Sequence, residues 1–338
     1  AGGGVKSYRR LYRDNLSKAL EIEGVENAAE LVRGTMDRLE AEGLTPRLAN
    51  DNGYQEREAG LLAAAADREA VGRAQGFALK YAEKETERAT YQAMEALVHN
   101  LNTMHSRAGA QIPFSSLNYG TDTSPEGRMV IRNLLLATEA GLGNGETAIF
   151  PIHIFKVKEG VNYNPGDPNY DLFKLACRVS AKRLFPNFSF LDAPFNLKYY
   201  RPGHPETEAA YMGCRTRVIG NVYDPQREIV TGRGNLSFTS VNLPRLAIKA
   251  NRNVDFFFEQ LERQIDLVID QLIDRFRIQA QKKVRNYPFL MGQGIWLDSD
   301  KLGPDDTVGE VLKHGTLTVG FIGLAECLTA LTGKHHGE

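Results

Sequence analysis

The sequence has few cysteines, and their spacing excludes several classes of protein. Of its 338 residues only Cys177, Cys214 and Cys327 are cysteines, and no two of them form a CxxC pair. An odd number without that spacing argues against a disulfide scaffold and against a four-cysteine zinc site within this chain. We therefore expect a reducing, cytoplasmic setting and no metal site in the chain.

The sequence also lacks long apolar runs and an excess of either charge. No apolar stretch approaches the ~20 residues that cross a bilayer, and the N-terminal AGGGVKSYRR has no apolar signal core. Lys and Arg number 41 and Asp and Glu 42, so the formal net charge is −1. Such a chain has no broad basic field, although it can hold a local pocket for a small anion. We expect neither nucleic acid nor membrane as a partner.

The pattern of the sequence changes near residue 110. Residues 55–106 contain almost no Gly or Pro, and Tyr91, Met94 and Val98 recur at helical spacing, which predicts a helix pair or bundle. Beyond it, strands are expected at 111–120, 147–157, 187–192, 235–248 and 316–323, with helices at about 125–140, 168–184 and 253–284. Alternating strands and helices predict an α/β sheet or barrel.

The last of these helices has a strong apolar stripe. Its members step by three or four residues: Val254, Phe258, Leu261, Ile265, Val268, Leu272 and Phe276. We expect this stripe to face the core.

Cys214 lies in an irregular segment, RPGHPETEAAYMGCRTRVIGN, which predicts a loop. Free cysteine is often buried, so a small core filler is one interpretation. Gly213 permits a close backbone approach, and Arg215 and Arg217 favour a thiolate or an anion, so a reactive thiol is the other. Both interpretations remain open on spacing alone.

The other cysteines and one histidine look structural. Cys177 (LFKLACRVSAKRL) and Cys327 (GLAECLTAL) lie in helical patterns with apolar neighbours, and His153 lies in an apolar strand. We predict all three to be core residues.

Two glycine-containing segments could also carry chemistry. In GRGNLSFTSVNLPRLA, Asn235 opens a strand, either as a turn residue or as an amide that points into a barrel. In TVGFIGLAECL, a strand passes through Gly320 and Gly323 into a helix, whose N-terminus can bind an anion. Neither segment is a dinucleotide or Walker fingerprint.

Four segments together resemble the anaerobic (class III) ribonucleotide reductases, which are glycyl-radical enzymes. They are LNTMHSRAGAQIPFSSLNYGTDTS, YMGCRTRV, GRGNLSFTSVNLPRLA and TVGFIGLAE. The resemblance implies an α/β chain that forms part of a ten-stranded α/β barrel, as in ribonucleotide reductases and pyruvate formate-lyase. Residues 1–110 would be the helical part with the dimer and effector surface, and 111–338 the barrel part, with a finger loop near 209–217.

The resemblance also implies a reaction and its residues. The family reduces ribonucleoside triphosphates to 2′-deoxyribonucleoside triphosphates. Cys214 matches the finger-loop cysteine that becomes a thiyl radical and takes the ribose 3′ hydrogen, and Asn235 matches an amide that holds substrate or reductant. Met212 matches the formate-using branch, because the thioredoxin-type branch has another cysteine there. The substrate phosphates would bind at the turn formed by Gly320, Phe321, Ile322 and Gly323.

Cofactors and partners follow from the same resemblance. They are a glycyl radical on a glycine outside this chain, the S-adenosylmethionine/iron–sulfur (radical-SAM) activase that generates it, structural zinc in a C-terminal part, dNTP or ATP effectors, and a second copy of the chain. The chain ends at GKHHGE without the glycyl-radical motif and begins just beyond the expected position of a second active-site cysteine. We therefore expect one domain truncated at both ends, which is inactive alone.

Two other interpretations remain. A pyruvate formate-lyase-like enzyme would share the barrel, but such lyases usually carry adjacent cysteines at the finger loop, whereas Cys214 stands alone. The other is a nucleotide-binding, dimerising module without chemistry, which suits a truncated chain.

Overall fold

The computed structural model describes residues 2–49, 53–104, 112, 114–213, 216–218, 220–227 and 229–337. The helices are α1 (Gly2–Ile22), α2 (Ala28–Ala41), α3 (Tyr54–Leu62), α4 (Arg68–Thr103), α5 (Pro125–Ala140), α6 (Tyr170–Arg183), α7 (Pro194–Leu197), α8 (Leu243–Ala250), α9 (Val254–Ala280), α10 (Gly309–Leu312) and α11 (Leu324–Thr332). The strands are β1 (Ser116–Tyr119), β2 (Ile152–Val157), β3 (Asn187–Phe190), β4 (Ala210–Met212), β5 (Thr216–Val218), β6 (Asn235–Asn242) and β7 (Thr316–Ile322).

The chain folds into two compact units. The first contains the residues up to Ala193 together with Gly213, and the second contains Pro194–Met212 and the residues from Thr216 onward. The described strands form a three-stranded sheet in the first unit and two two-stranded sheets in the second. The prediction of a mixed α/β chain is confirmed. No helix in the described ranges is both long and apolar enough to span a bilayer.

The N-terminal part of the first unit is a helical core built from α1 to α4. On α1, buried side chains recur every four residues: Tyr8, Tyr12, Leu16 and Leu20. They pack against a buried stripe of small residues on α4, which lets the two helices approach closely: Val71, Ala74, Ala78 and Ala82. The predicted helical stretch 55–106 is two helices, because Asp67 starts a new one by accepting a hydrogen bond from the Glu69 N–H at 3.2 Å.

The remainder of the first unit is a β-α-β-α-β arrangement. Strands β1, β2 and β3 are parallel neighbours in that order, with α5 and α6 as the connections. Phe155 and Val157 of β2 pack against Leu135 of α5 and Ala176 of α6. The predicted helices at 125–140 and 168–184 are therefore confirmed, and they cover one face of a parallel sheet.

The core of the second unit joins β6 to three helices. Val241 of β6 packs with Leu246 of α8, Leu272 of α9 and Cys327 of α11. The predicted strand 235–248 is too long. Asn242 ends it, because its Oδ1 accepts from the Arg245 N–H at 3.1 Å and begins α8.

Two predictions of core positions need correction. On α9, Val268 and Leu272 are buried as expected, but Phe258 is 55% exposed and its neighbour Phe257 is buried instead. Cys177 is exposed, whereas Cys327 is buried as predicted. The reason for Cys177 is helical geometry, since α6 buries Leu172, Ala176 and Val179 on its other side.

Candidate active site

The predicted site residue Asn235 begins β6 at an irregular point of the strand pairing. Asn235 pairs with Thr316 and Ser237 pairs with Leu317, so two steps along β6 match one step along β7. The extra residue is Leu236, which packs near Trp296. Such a bulge re-aims the neighbouring side chain, so Asn235 and Ser237 lie on opposite faces of the pair.

Two threonines hold the Asn235 amide. Asn235 Nδ2 donates to Thr216 Oγ1 at 3.2 Å, and Thr316 Oγ1 donates to Asn235 Oδ1. Thr216 begins β5 and Thr316 begins β7, so strands on two sides contact one exposed amide. Neither threonine was singled out from the sequence. The available signal was that each opens a short β-branched run.

The face of the β6–β7 pair that carries Asn235 is open, and on the opposite face β6 packs against α9. On the packed side, Thr239 Oγ1 donates to Gln271 of α9 at 2.8 Å, and Val241 is buried. On the open side, alternation along β7 places Gly320 with Thr316. Gly320 has no side chain, and a Cβ there would lie 3.0 Å from Ser240 Oγ, so at this position the strand presents only its backbone on the open face.

The four residues of the predicted phosphate turn divide between the two faces. Gly320 and Ile322 share the face of Thr316, whereas alternation directs the Phe321 side chain to the other. Gly323 has φ +73° and caps α11, and a side chain there would collide with Pro244. Glu326 lies in the first turn of α11, where its carboxylate would compete with a bound anion.

Cys214 lies outside the described residues, as does Arg215, but the strands around them are described. Met212 of β4 pairs with Thr216 of β5 in an antiparallel hairpin, and Cys214 is the middle one of the three residues that join them in sequence. Gly213 has φ +54°, and its N–H donates to Ser116 Oγ at 3.1 Å.

Arg217 is occupied by its own neighbours. Its guanidinium lies over the Phe195 ring at 5.0 Å, and its Nη1 contacts Asn196 Oδ1 at 3.4 Å. The sequence interpretation that Arg217 would favour a thiolate is not tested by these contacts.

Arg233 anchors the starts of both strands. Its Nε donates to the His314 carbonyl at 2.8 Å, and its Nη1 donates to the carbonyls of Ile229, at 3.1 Å, and Gly220. Burial lowers the pKa of this guanidinium. Space is tight at both flanking glycines, since a Cβ at Gly234 would lie 3.2 Å from the Trp296 ring and one at Gly232 would lie 3.0 Å from the Leu297 nitrogen. The GRG segment thus fixes the backbone directly before Asn235.

A charged cluster near the start of β7 is internally paired. Asp298 accepts two hydrogen bonds from Arg227, at 2.7 and 2.5 Å, and one ion pair from Lys301 at 2.9 Å. The bonds from Arg227 hold the pKa of Asp298 well below its usual range. The buried His314 ring accepts from Asn221 Nδ2 through Nδ1, at 3.1 Å, and burial lowers its pKa. Because Asp298 already pairs with both cations, the cluster supports the strand rather than forming an open anion site.

The His153 ring in the first unit is buried and hydrogen-bonded at both nitrogens. His153 accepts from the Tyr119 hydroxyl at 3.0 Å and lies 3.2 Å from Thr138 Oγ1, as the prediction of a core histidine requires. Thr138 Oγ1 donates to the Leu134 carbonyl, so it accepts from His153 Nε2. Burial lowers the pKa of His153 to about 4.

The loop at residues 161–170 is anchored by two buried amides. Asn162 and Asn169 each donate to the Gly120 carbonyl at 3.1 Å, and both side chains are fully buried. Gly120 has φ +123°, and a Cβ there would lie 2.9 Å from the Lys156 carbonyl. These bonds fix the loops that follow β1 and β2. In the described part of the chain, no three His, Cys, Asp or Glu side chains are placed to bind a metal ion.

Comparison with known proteins gives a consistent match. A family model described as anaerobic ribonucleoside-triphosphate reductase matches residues 59–338. A protein of that name from Salmonella typhimurium is 34% identical over 259 residues, which are 76% of this chain and 35% of that protein. The Escherichia coli protein of that name is 33% identical over 259 residues, which are again 76% of this chain and 35% of that protein.

A phage protein is similar to the same degree. The anaerobic ribonucleoside-triphosphate reductase of Enterobacteria phage T4 is 33% identical over 268 residues, which are 77% of this chain and 43% of that protein. The chain therefore spans between 35% and 43% of the length of these relatives.

Proposed function

The chain belongs to the anaerobic ribonucleoside-triphosphate reductase family, and on that premise we propose that the protein carrying it reduces ribonucleoside triphosphates to 2′-deoxyribonucleoside triphosphates without oxygen. Formate is the proposed reductant. The 2′ hydroxyl leaves as water and formate leaves as carbon dioxide, so the two electrons that formate loses are those that the ribose gains.

Cys214 is the proposed reacting residue. As a thiyl radical, its sulfur takes the ribose 3′ hydrogen and later returns it. Sulfur suits this reversible step, because hydrogen exchange with a ribose C–H has no large energy gap in either direction. The family's glycyl radical, on a glycine outside this chain, supplies the oxidising equivalent when it is present. The single cysteine between the paired ends Met212 and Thr216 supports this role, since a short connection can present one sulfur.

The observation that carries the proposal is the held amide of Asn235. Its side chain is exposed, yet Thr216 and Thr316 contact its nitrogen and oxygen. An amide donates and accepts hydrogen bonds without titrating, so it can bind a ribose hydroxyl or formate, whereas a carboxylate would repel formate. Holding the amide in advance lowers the cost of orienting the substrate.

The segment from Gly320 to Gly323 is the proposed phosphate site, through its backbone N–H groups. Gly320 lies four residues beyond Thr316 on the same face, which is about 13 Å along the strand. That separation suits a nucleotide whose ribose lies near Asn235 and whose outer phosphates reach the start of α11, where they would displace the exposed Glu326 carboxylate. The phosphates would then position the ribose.

The larger assembly is proposed from the family. The strands would contribute to a ten-stranded barrel, and the helices before residue 110 would supply the dimer surface and the effector site for dNTP or ATP. A radical-SAM activase would generate the glycyl radical. Zinc would bind outside the described residues, and we propose a cytoplasmic location.

The test uses the full-length polypeptide that contains this chain, activated under strict anoxia with its activase and supplied with formate. We expect deoxynucleotide formation in the wild type, and its loss in Cys214→Ala with nucleotide binding retained in calorimetry. Cys177→Ala is the matched control, because that thiol is exposed on α6, and it should retain activity.

Other outcomes identify the competing functions. Acetyl transfer from pyruvate without nucleotide reduction would indicate a formate-lyase-like enzyme. Nucleotide binding without turnover in an activated wild type would indicate a binding and dimerisation module. Either result would contradict the proposal.

A further inference from the structure

We infer that Thr216 and Thr316 are positioning residues that set the plane of the Asn235 amide, an inference that rests on the proposed function. The two hydroxyls contact the amide from opposite ends, one at Nδ2 over 3.2 Å and the other at Oδ1. The backbone supports the second contact, because Thr316 and Asn235 are register partners and the Thr316 N–H donates to the Gly234 carbonyl at 3.0 Å.

The inference depends on how freely an asparagine side chain turns. Its last torsion is broad, so an exposed amide without partners would sample many planes. The Asn235 side chain is exposed. The two hydroxyls, which are themselves half-buried on neighbouring strands, therefore supply the restraint.

The same two contacts define what the amide can offer a ligand. A primary amide has two N–H groups and two oxygen lone pairs, and each threonine takes one of these. One N–H and one lone pair remain, in a plane fixed by β5 and β7. Since each hydroxyl can donate or accept, this remainder is the same whichever way the amide is turned.

The arrangement also explains the irregular pairing at the start of β6. Without the register shift at Leu236, regular alternation would put Asn235 on the face of Ser237, whose hydroxyl accepts from Arg275 of α9 at 3.0 Å. The bulge turns Asn235 away from α9 and toward the two threonines. Backbone geometry and hydroxyl contacts therefore act on the same side chain.

The test is a double-mutant cycle in the activated full-length enzyme. Thr316→Val should lower kcat about ten-fold at saturating nucleotide and formate, since misplacing a binding group costs rate. The KM for the nucleotide should stay within about two-fold, because its phosphates and base bind elsewhere. Thr316→Ser keeps the hydroxyl and should recover most of kcat. Thr216→Val and Thr216→Ser should follow the same pattern.

The decisive measurement adds Thr316→Val to Asn235→Ala. If the threonine acts only through the amide, the second change should lower kcat no further. Thr332→Val is the matched control, because Thr332 is an exposed threonine at the end of α11 whose hydroxyl donates to the Leu328 carbonyl, and it should leave kcat unchanged. Thermal unfolding of each variant separates these effects from loss of the fold.

The outcomes distinguish this inference from the proposed function. One set of results would overturn the inference but leave the proposed function standing. In it, the wild type reduces nucleotides, Cys214→Ala forms no deoxynucleotide, and Thr316→Val has the kcat of the wild type. A further ten-fold loss in the Asn235→Ala background would overturn it as well. An activated wild type that forms no deoxynucleotide would overturn both.

Discussion

Two polar centres of this chain are built in opposite ways, one in each unit. In the helical core of the first unit, Glu58 is fully buried and accepts hydrogen bonds from Tyr12 at 2.5 Å, Tyr54 at 3.0 Å and Gln75 at 2.8 Å. In the second unit, Asn235 is exposed and is held by two threonines. The Glu58 carboxyl group presents no hydrogen-bonding atom to solvent, whereas the Asn235 amide keeps one N–H donor and one oxygen lone pair available.

Burial and hydrogen-bond partners distinguish the structural polar group from the candidate functional one. Burial raises the pKa of Glu58 and raises that of Tyr12 well above its usual value, and three hydrogen bonds hold the Glu58 carboxyl group in place. Such a group specifies how helices pack. An exposed amide contributes little to stability, so two dedicated hydroxyl contacts to it are better explained by ligand binding.

The largest effect is expected on the buried side of the comparison. Glu58→Ala leaves Tyr12, Tyr54 and Gln75 without an acceptor and should lower the unfolding free energy by about 4 kcal/mol. Glu58→Gln keeps one acceptor oxygen and should cost about 1–2 kcal/mol. Urea titration followed by far-ultraviolet circular dichroism measures both. The control is the exposed Glu56→Ala on the same helix, and equal losses for Glu56 and Glu58 would contradict the comparison.

On the exposed side, the expected effect is on rate rather than stability. Asn235→Ala should lower kcat of the activated full-length enzyme about 100-fold, because a preorganised hydrogen-bonding group is lost. The unfolding free energy should change by less than about 1 kcal/mol, since the side chain is exposed. Ser240→Ala, on the same face, is the control for local packing. A large loss of stability with normal kcat would reverse our assignment.

A smaller effect is expected from pH. The pKa of His153 is about 4 in the folded chain, against an ordinary value of 6.5 in the unfolded chain. Below pH 6.5 the unfolded state therefore binds more protons, and the unfolding free energy should fall from pH 6.5 toward pH 4 by about 3 kcal/mol in all. The His153→Gln variant should lack this part of the pH dependence. Parallel curves for variant and wild type would show that His153 is accessible to protons.

The smallest effect concerns the two described cysteines. Cys177 is exposed and Cys327 is buried, so iodoacetamide followed by peptide mapping should label Cys177 in the folded protein. Cys327 should be labelled only after addition of denaturant. No stability change is expected from Cys177→Ser, and rapid labelling of Cys327 would show that the α11 core opens.

The sequence predicted the repeating parts of this structure well. Helices α5, α6 and α9 were found from periodicity, because an apolar stripe is imposed by packing against one surface. Phe257 and Phe258 show the limit. Adjacent aromatic residues fit the pattern almost equally, and only the packing of α8 and α11 decides which is buried. The prediction that Cys177 is buried was wrong for the same reason, because its neighbour Ala176 faces the core instead.

The candidate site was predicted in part. Asn235 was singled out through the family resemblance and its place at a strand start. Its partners Thr216 and Thr316 lie 19 and 81 residues away, and no local pattern links them. The role of Arg233 was also missed. Its guanidinium donates to the backbone carbonyls of Gly220, Ile229 and His314, and any residue type has such a carbonyl, so the sequence does not identify these partners.

The extra residue at Leu236 has a consequence for how this protein can change over time. Because the pairing slips by one step there, Asn235 lies on the face opposite to the buried Val241, whereas an unbroken strand would put both on one face. Substitutions in the packed half of β6 can accumulate without turning the amide, and the amide can be exchanged without disturbing the core. The bulge therefore separates two selective pressures that an unbroken strand would tie together.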